Sequence, residues 1–256
     1  MDALFLHGAF DARIGSLDLI SDGHSECIIK VAEVGLCGSD LHYYKDGGIG
    51  GAVIKNPFVP GHEFSGWLEE DLPELGLRMG DLVAVDPNRS CGKCSYCSKG
   101  FSNLCPEVKF IGAPPYNGAM TERISIPKSQ IIPLPKSLTP TQAVMLEPLG
   151  VAIHAIDLAK PKLLEPVVIL GCGPIGLLIL QILRLSGVGP IMCIDPQVHR
   201  HQFALKLGAT LSGFSCDDVS TYTKMNGVPL VIEATNSPRG FHDAVKSAEI
   251  GGRIVI

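Results

Sequence analysis

The sequence predicts two domains, an all-β half followed by an α/β half built on a parallel sheet. Three observations carry this. Beyond about residue 160, apolar β-branched runs alternate with helical stretches, the pattern of strands joined by helical crossovers. The stretch PVVILGCGPIG sets Gly171-x-Gly173-x-x-Gly176 between a strand and a helix. Before about residue 150 the segments are short and alternating, rich in glycine and proline, with few helical patterns. The boundaries follow as 1–150 and 151–256.

In the first half, CIIKVAEV reads as a strand that leads to Cys37. PGHEFSG is a Pro/Gly turn bearing His62 and Glu63. SCGKCSYCSKGFSNLC is a polar loop holding four cysteines, and LEPLGVAIHAI opens an apolar helix at Glu147. In the second half, PVVILG is a strand, PIGLLILQILRL a helix, and IMCID a strand ending at Asp195. QVHRHQFALKLGAT is a helix stopped by Gly208, and PLVIEAT is a buried strand. SPRGFHDAVKSAEIGG reads as a helix ending in glycines, and RIVI begins a further strand.

Hydrophobic residues make up 46% of the 256, enough for a real core. With a formal net charge of -5 and no Lys/Arg-rich run, nucleic acid is excluded as a partner. MDALFLHGAF lacks the basic start and apolar stretch of a secretory signal. The longest apolar run, VVILGCGPIGLLILQIL, is interrupted by three glycines and a proline and does not read as a membrane span. The protein is expected to be cytoplasmic.

An odd count of nine cysteines without an export signal argues against a secreted disulfide framework. Cys91, Cys94 and Cys97 form C-x2-C-x2-C, with Cys105 following, in a loop of about residues 90–106. Two residues between ligands let one tight turn aim two sulfurs at one ion, and four thiolates form a closed, structural zinc site. An iron–sulfur cluster uses similar spacings, and two disulfides are the plainer alternative. A closed site has no open position, so any chemistry lies elsewhere. Cys37, His62, Glu63 and Glu147 could form a second site that leaves zinc an open position. Taken singly, Cys37 also reads as a small buried hydrophobe and His62-Glu63 as a surface turn.

In the second half the glycines let the backbone approach a pyrophosphate at a helix N-terminus. Asp195 stands nineteen residues after Gly176, where a carboxylate can bind both ribose hydroxyls and repel a 2′-phosphate. That points to NAD. Arg200 complicates the reading, because an arginine nearby can hold that phosphate. Tight strand–helix packing without ligand is the structural alternative for the glycines.

The stretches GLCGSDLHYY, PGHEFSG, GDLVAVDP, the four-cysteine loop, LEPLGVAIHA and GCGPIG, in this order, resemble the medium-chain zinc-dependent dehydrogenases. The similarity is greatest to the polyol branch, the sorbitol, xylitol and idonate dehydrogenases, and it covers nearly all of the chain. The resemblance implies a GroES-like β-barrel catalytic domain and a Rossmann doubly wound parallel sheet. It implies an oxidoreductase that transfers a hydride between a polyol or other secondary alcohol and NAD, with one catalytic and one structural zinc. By the same resemblance Cys37, His62 and Glu63 are catalytic-zinc ligands, and Glu147 ligates directly or through water and faces substrate. Ser39 and His42 match a proton relay, and Tyr43 a substrate-contacting aromatic. Asp40 matches a group that orients the ligand histidine, with a helix N-cap as its plainer role. Ile175 matches a residue that packs on the cofactor, and NAD users of this branch carry an arginine at the position of Arg200.

Two departures stand out. GWLEEDLPELGLRMGD replaces the glycine turn often found between strands, which reads as loop drift. The chain also stops at Ile256, within the expected fifth parallel strand, so the sheet is expected to be incomplete. The resemblance places further cofactor and substrate contacts beyond that point. The chain by itself is therefore expected to show little dehydrogenase activity, and a non-catalytic homologue that binds zinc or NAD or modulates a full-length partner is the alternative. A full-length form is expected to be a homo-oligomer.

Overall fold

The computed structural model describes residues 1–19, 25–224 and 226–256, in two compact units, Met1–Glu147 and Pro148–Ile256. The first unit opens with a hairpin of β1 (Asp2–Gly8) and β2 (Asp11–Ser16), then β3 (Glu26–Val34) and α1 (Gly38–Asp46). Two short strands, β4 (Gly48–Ile49) and β5 (Ala52–Val53), pair with each other before β6 (Phe64–Leu68) and β7 (Leu82–Val85). A second short pair, β8 (Asn88–Arg89) and β9 (Lys109–Phe110), brackets the four-cysteine loop. β10 (Arg123–Pro127), β11 (Ile131–Pro133) and α2 (Pro140–Val144) follow, and α3 (Leu146–Ala159) begins at the end of this unit.

The main sheet of the first unit has the order β10-β3-β6-β7-β11, with each neighbouring pair antiparallel. Its core is built from inward positions of these strands, including Ile29, Phe64, Leu68, Val83, Val85 and Ile126, all buried. The unusual stretch after β6 is part of that core. Leu72 and Leu77 exchange backbone hydrogen bonds of 3.0 and 3.1 Å across a short 3-10 turn, Pro73–Leu75. Both leucines are buried in the same cluster. The expected loop drift is a packed connection, because its apolar positions return to the sheet.

The second unit continues α3 and adds β12 (Val167–Leu170), α4 (Pro174–Leu185), β13 (Ile191–Ile194), α5 (Val198–Leu207) and β14 (Leu211–Gly213). α6 (Cys216–Tyr222), β15 (Val228–Glu233), α7 (Gly240–Ser247) and β16 (Ala248–Val255) complete it. The sheet order is β14-β13-β12-β15-β16, and every pair is parallel. Sequence order reverses between β12 and β15, the position where open parallel sheets bind ligands at their carboxyl ends.

Every residue of β12 is buried, as expected of a strand covered on both faces. Val167 and Ile169 pack with Ile179, Leu180 and Leu183 of α4, while Val168 and Leu170 pack with Val219 of α6 and Ala244 of α7. The period-2 alternation of a strand thus serves two cores. α5 ends at Gly208, which takes a left-handed φ of 106°. β16 begins at Ala248 and runs through Gly251 and Gly252, which the sequence reading had placed at a helix end. Ladder pairing with β15 extends the strand there: Val228 faces Ala248, and after an irregularity Leu230 faces Arg253.

Candidate metal centres and cofactor site

The first site is assembled by strand register. β3 and β6 pair antiparallel with Val34 opposite Phe64, so the residues that leave β3 meet those that enter β6. Gly35 N–H donates to the Glu63 carbonyl at 2.6 Å. Cys37 sits at the N-cap of α1 just beyond. His62 and Glu63 immediately precede β6. Ligand atoms of Cys37, His62 and Glu63 consequently lie within 4.8 Å of one another.

Asp40 ties this arrangement together. Its side chain is 3% exposed and accepts from the Cys37 N–H at 3.0 Å and the Gly61 N–H at 3.2 Å. One carboxylate therefore fastens the turn before α1 to the turn that carries His62. Cys37 rather than Asp40 is the N-cap; Asp40 stands at N3 and accepts from the Cys37 N–H, the reciprocal bond of a capping box, and the bond to Gly61 is added to that. A direct bond to the histidine ring is not among its contacts: His62 Nδ1 is buried with no hydrogen-bond partner among the described residues.

Burial pushes the Cys37 thiol and the carboxyl groups of Asp40, Glu63 and Glu147 above their ordinary values, because each charged form loses solvation. Glu147, in the first turn of α3, is close enough to His62 and Glu63 to feel both charges, yet stands outside the 4.8 Å cluster. One thiol, one imidazole and converging carboxylates form a donor set that fits zinc with a position left open. The residues present fit the metal.

Ser39 and His42 lie three apart on α1 and so share a face. The Ser39 hydroxyl is buried without a hydrogen-bond partner among the described residues. His42 is partly exposed, with Nδ1 at 2.7 Å from Asp46 Oδ2. Tyr43 is only 5% exposed and packs edge-on against Phe58 with ring centroids 5.4 Å apart.

The four-cysteine loop is closed by β8 and β9. Cys91, Cys94, Cys97 and Cys105 present sulfurs within 4.8 Å of one another. The Cys94 and Cys97 sulfurs are 3.4 Å apart, far longer than a disulfide bond, and all described cysteines are free. Gly92 and Gly100 take left-handed φ values of 71° and 84°, which lets the loop fold back on itself. Backbone N–H groups of Lys93 and Cys94 draw the Cys91 thiol down to about 7, toward the thiolate that a metal requires. The set fits a closed tetrahedral metal site.

In the second unit, Gly171 follows β12 with φ 95°, and a side chain there would meet the Ala234 carbonyl oxygen at 2.7 Å. Gly173 caps α4 in an extended conformation, and Pro174 takes the first helical position. Gly176 is buried against the Gly171 carbonyl. Ile175 lines a cavity of about 300 Å³ with Ile179, Glu233, Ala234 and His154 at the carboxyl ends of the strands.

Asp195 follows β13 and is 2% exposed. Its Oδ2 accepts from the Cys172 N–H at 2.9 Å and from Arg200 Nη1 at 3.0 Å, and its Oδ1 accepts from the Gln197 N–H at 2.8 Å. Burial works to raise this carboxyl. The two N–H groups and the guanidinium outweigh burial and hold it below the ordinary carboxylate value. Asp195 thus pins the glycine loop to β13, and Arg200 is already engaged with it.

Sequence reasoning missed two supporting aromatic contacts. His201 is buried in α5, with Nε2 at 2.6 Å from the Asp195 carbonyl, and its ring lies 4.2 Å from that of Phe214. Phe110 meets the His62 ring edge-on at 5.3 Å. One of two histidines in the same helix, or a phenylalanine forty-eight residues from its partner, carries no local signal.

Comparison with known proteins bears on the same residues. The model of the alcohol dehydrogenase GroES-like domain matches residues 23–136, and that of zinc-binding dehydrogenases matches residues 174–256. Sorbitol dehydrogenase of Bacillus subtilis is 34% identical over all of the chain and 74% of its own length. The chain belongs to the zinc-dependent medium-chain dehydrogenases, in their polyol branch. A second relative of this dehydrogenase, D-xylulose reductase A of Aspergillus oryzae, is 32% identical over 92% of the chain and 68% of its own length. Among solved structures, L-idonate 5-dehydrogenase of Escherichia coli K-12 superposes with a TM-score of 0.90 at 28% identity. That match covers 99% of the chain and 74% of the idonate enzyme. The fold of the dehydrogenase is accordingly the GroES-like domain followed by a parallel-sheet dinucleotide-type domain, as the sequence predicts.

Proposed function

We propose that this dehydrogenase oxidises a polyol or other secondary alcohol to a ketone, with NAD as hydride acceptor. The observation that carries the reading is the convergence of Cys37, His62 and Glu63 within 4.8 Å at the junction of β3 and β6, with His62 buried. A zinc ion there would supply Lewis-acid polarisation of the substrate hydroxyl.

The chain's own residues do the rest. Cys37, His62 and Glu63 would hold the metal, and Glu147 adds a carboxylate close to His62 and Glu63. The hydroxyl proton passes to Ser39 Oγ, a buried hydroxyl otherwise unsatisfied, and then to His42 on the same helical face, which reaches solvent. A bound NAD would accept a hydride from the carbinol carbon, so that one alcohol and one NAD would give one ketone, one NADH and one proton. The second metal set, Cys91, Cys94, Cys97 and Cys105, would leave no open position and would serve a structural role.

Gly171, Gly173 and Gly176 would admit a pyrophosphate to the N-terminus of α4, and Ile175, which lines the adjacent cavity, would pack on the dinucleotide. NAD is favoured over NADP by two features. The Asp195 carboxylate is held ionised, and the Arg200 guanidinium is already paired with it at 3.0 Å. The test is a panel of polyols and secondary alcohols supplied with NAD or NADP, read by ketone formation. Ketone should form with NAD and a polyol, slowly for this chain by itself, and His62→Ala should abolish it. Ketone formation undiminished in His62→Ala would remove the metal site from the reaction.

A further inference from the structure

A ligand histidine is ordinarily oriented by a hydrogen bond to its second ring nitrogen. His62 lacks one: Nδ1 is buried without a partner among the described residues, and both Asp40 oxygens accept from backbone N–H groups. The ring torsion of histidine is broad and roughly two-fold, so packing has to set it. The aromatic contact is Phe110, whose ring centroid lies 5.3 Å from that of His62 at an interplanar angle of 61°.

Phe110 is placed by the four-cysteine loop. It stands in β9 opposite Asn88, with Lys109 opposite Arg89, so residues 90–108 form the closed end of this pair. Ile111 N–H continues the tie with a 3.0 Å bond to the Pro87 carbonyl. On its other side the same segment clasps the His62 turn. Ala119 N–H donates to the Gly61 carbonyl at 2.8 Å, and Met120 N–H to the Pro60 carbonyl at 3.0 Å. Gly112 is so close that a side chain there would meet the Gly61 carbonyl oxygen at 2.7 Å.

We infer that Phe110 is a positioning residue that couples the two metal sites: the four-cysteine loop fixes β9, and β9 fixes the His62 ring through Phe110. The inference rests on the reading of both clusters as metal sites. Metal in the closed loop then tightens metal binding at the Cys37, His62 and Glu63 set, and the reverse holds by linkage.

The test uses cobalt(II) as probe, with zinc retained in the four-cysteine loop and the other site emptied. Thiolate-to-cobalt absorption from Cys37 reports binding, and a competing chelator gives the affinity. Phe110→Ala should weaken cobalt binding by about tenfold, the low end of the effect of losing a ligand-orienting partner, with the loop zinc still present. Phe110→Tyr, which keeps the ring edge, should restore affinity to within about twofold of the original. Cys97→Ser, which opens the loop, should weaken cobalt at the other site as well. If that variant does not fold, the Phe110 pair decides alone. Cobalt affinity in Phe110→Ala equal to the original, with loop zinc in place, overturns the coupling. Failure of the unmodified protein to bind cobalt at Cys37 overturns the metal reading itself, and the coupling with it.

Discussion

Replacing Asp40 by alanine should destabilise the first unit by about 2 kcal/mol. Asp40 accepts two backbone N–H groups, and alanine leaves both without a partner. A buried unsatisfied donor costs about 1–3 kcal/mol. The Gly61 bond is fully buried and belongs near the upper end, whereas the Cys37 bond is only partly buried and belongs near about 1 kcal/mol. Removing a carboxyl whose burial disfavours its charge returns part of this sum. Asp40→Asn keeps one acceptor but turns an N–H donor toward the other backbone N–H, so it should lie between the original and alanine. The chain has one tryptophan, Trp67, and it stands on β6 beside the His62 turn. Urea unfolding followed by Trp67 fluorescence therefore reports the first unit specifically. Unfolding of Asp40→Ala within about 0.5 kcal/mol of the original, the scale of an ordinary surface change, would refute the claim that this carboxylate fastens the two ligand turns.

Further outcomes follow from the same geometry. Metal analysis should approach about two zinc per chain, one closed and one open site. Cys94→Ser should lose one zinc together with stability, and His62→Ala should lose the other with less effect on folding; loss of the same zinc in both would contradict the partition. Asp195→Ser, with Arg200 retained, should shift binding from NAD toward NADP, because the ionised carboxylate that opposes a 2′-phosphate is gone and the guanidinium is released. Tighter binding of NADP than NAD by the unmodified protein would contradict that role. In zinc-free protein the two units should respond oppositely to acid. Burial raises Asp40, Glu63 and Glu147, so the folded first unit holds more protons than its unfolded chain below those raised values. Its stability should rise as pH falls through them and level off near the ordinary values of 3.8 and 4.5. Asp195 and Glu165 are lowered, so their contribution to the second unit is full above the ordinary values and is lost as pH falls through the lowered ones. Trp67 fluorescence against far-ultraviolet circular dichroism separates the two responses.

What was legible in the sequence were the features with a short repeat or a fixed spacing. The C-x2-C-x2-C run, the glycine loop between strand and helix, and the buried β12 all declare themselves within a few residues. The convergence of Cys37 with His62 was not legible from spacing, since it depends on the register of β3 against β6, and only the family resemblance supplied it. α1 escaped the reading because GSDLHYYKD has no apolar stripe; the helix is held by Asp40 at its N-terminus and by Gly47 at its end. The short β14 and α6 were likewise passed over, three residues being too few for a strand pattern. Phe110 and His201 act through contacts set by tertiary packing, which no window of sequence encodes.

The central claim is that the Cys37, His62 and Glu63 site brings an alcohol carbon to a nicotinamide. Its most direct measurement is label transfer from a polyol deuterated at the carbinol carbon, read by mass spectrometry on NAD within a single turnover. Deuterium should appear on the nicotinamide with the unmodified chain, even at the low turnover expected of it by itself, and not with His62→Ala. Deuterium transferred equally by His62→Ala would contradict it.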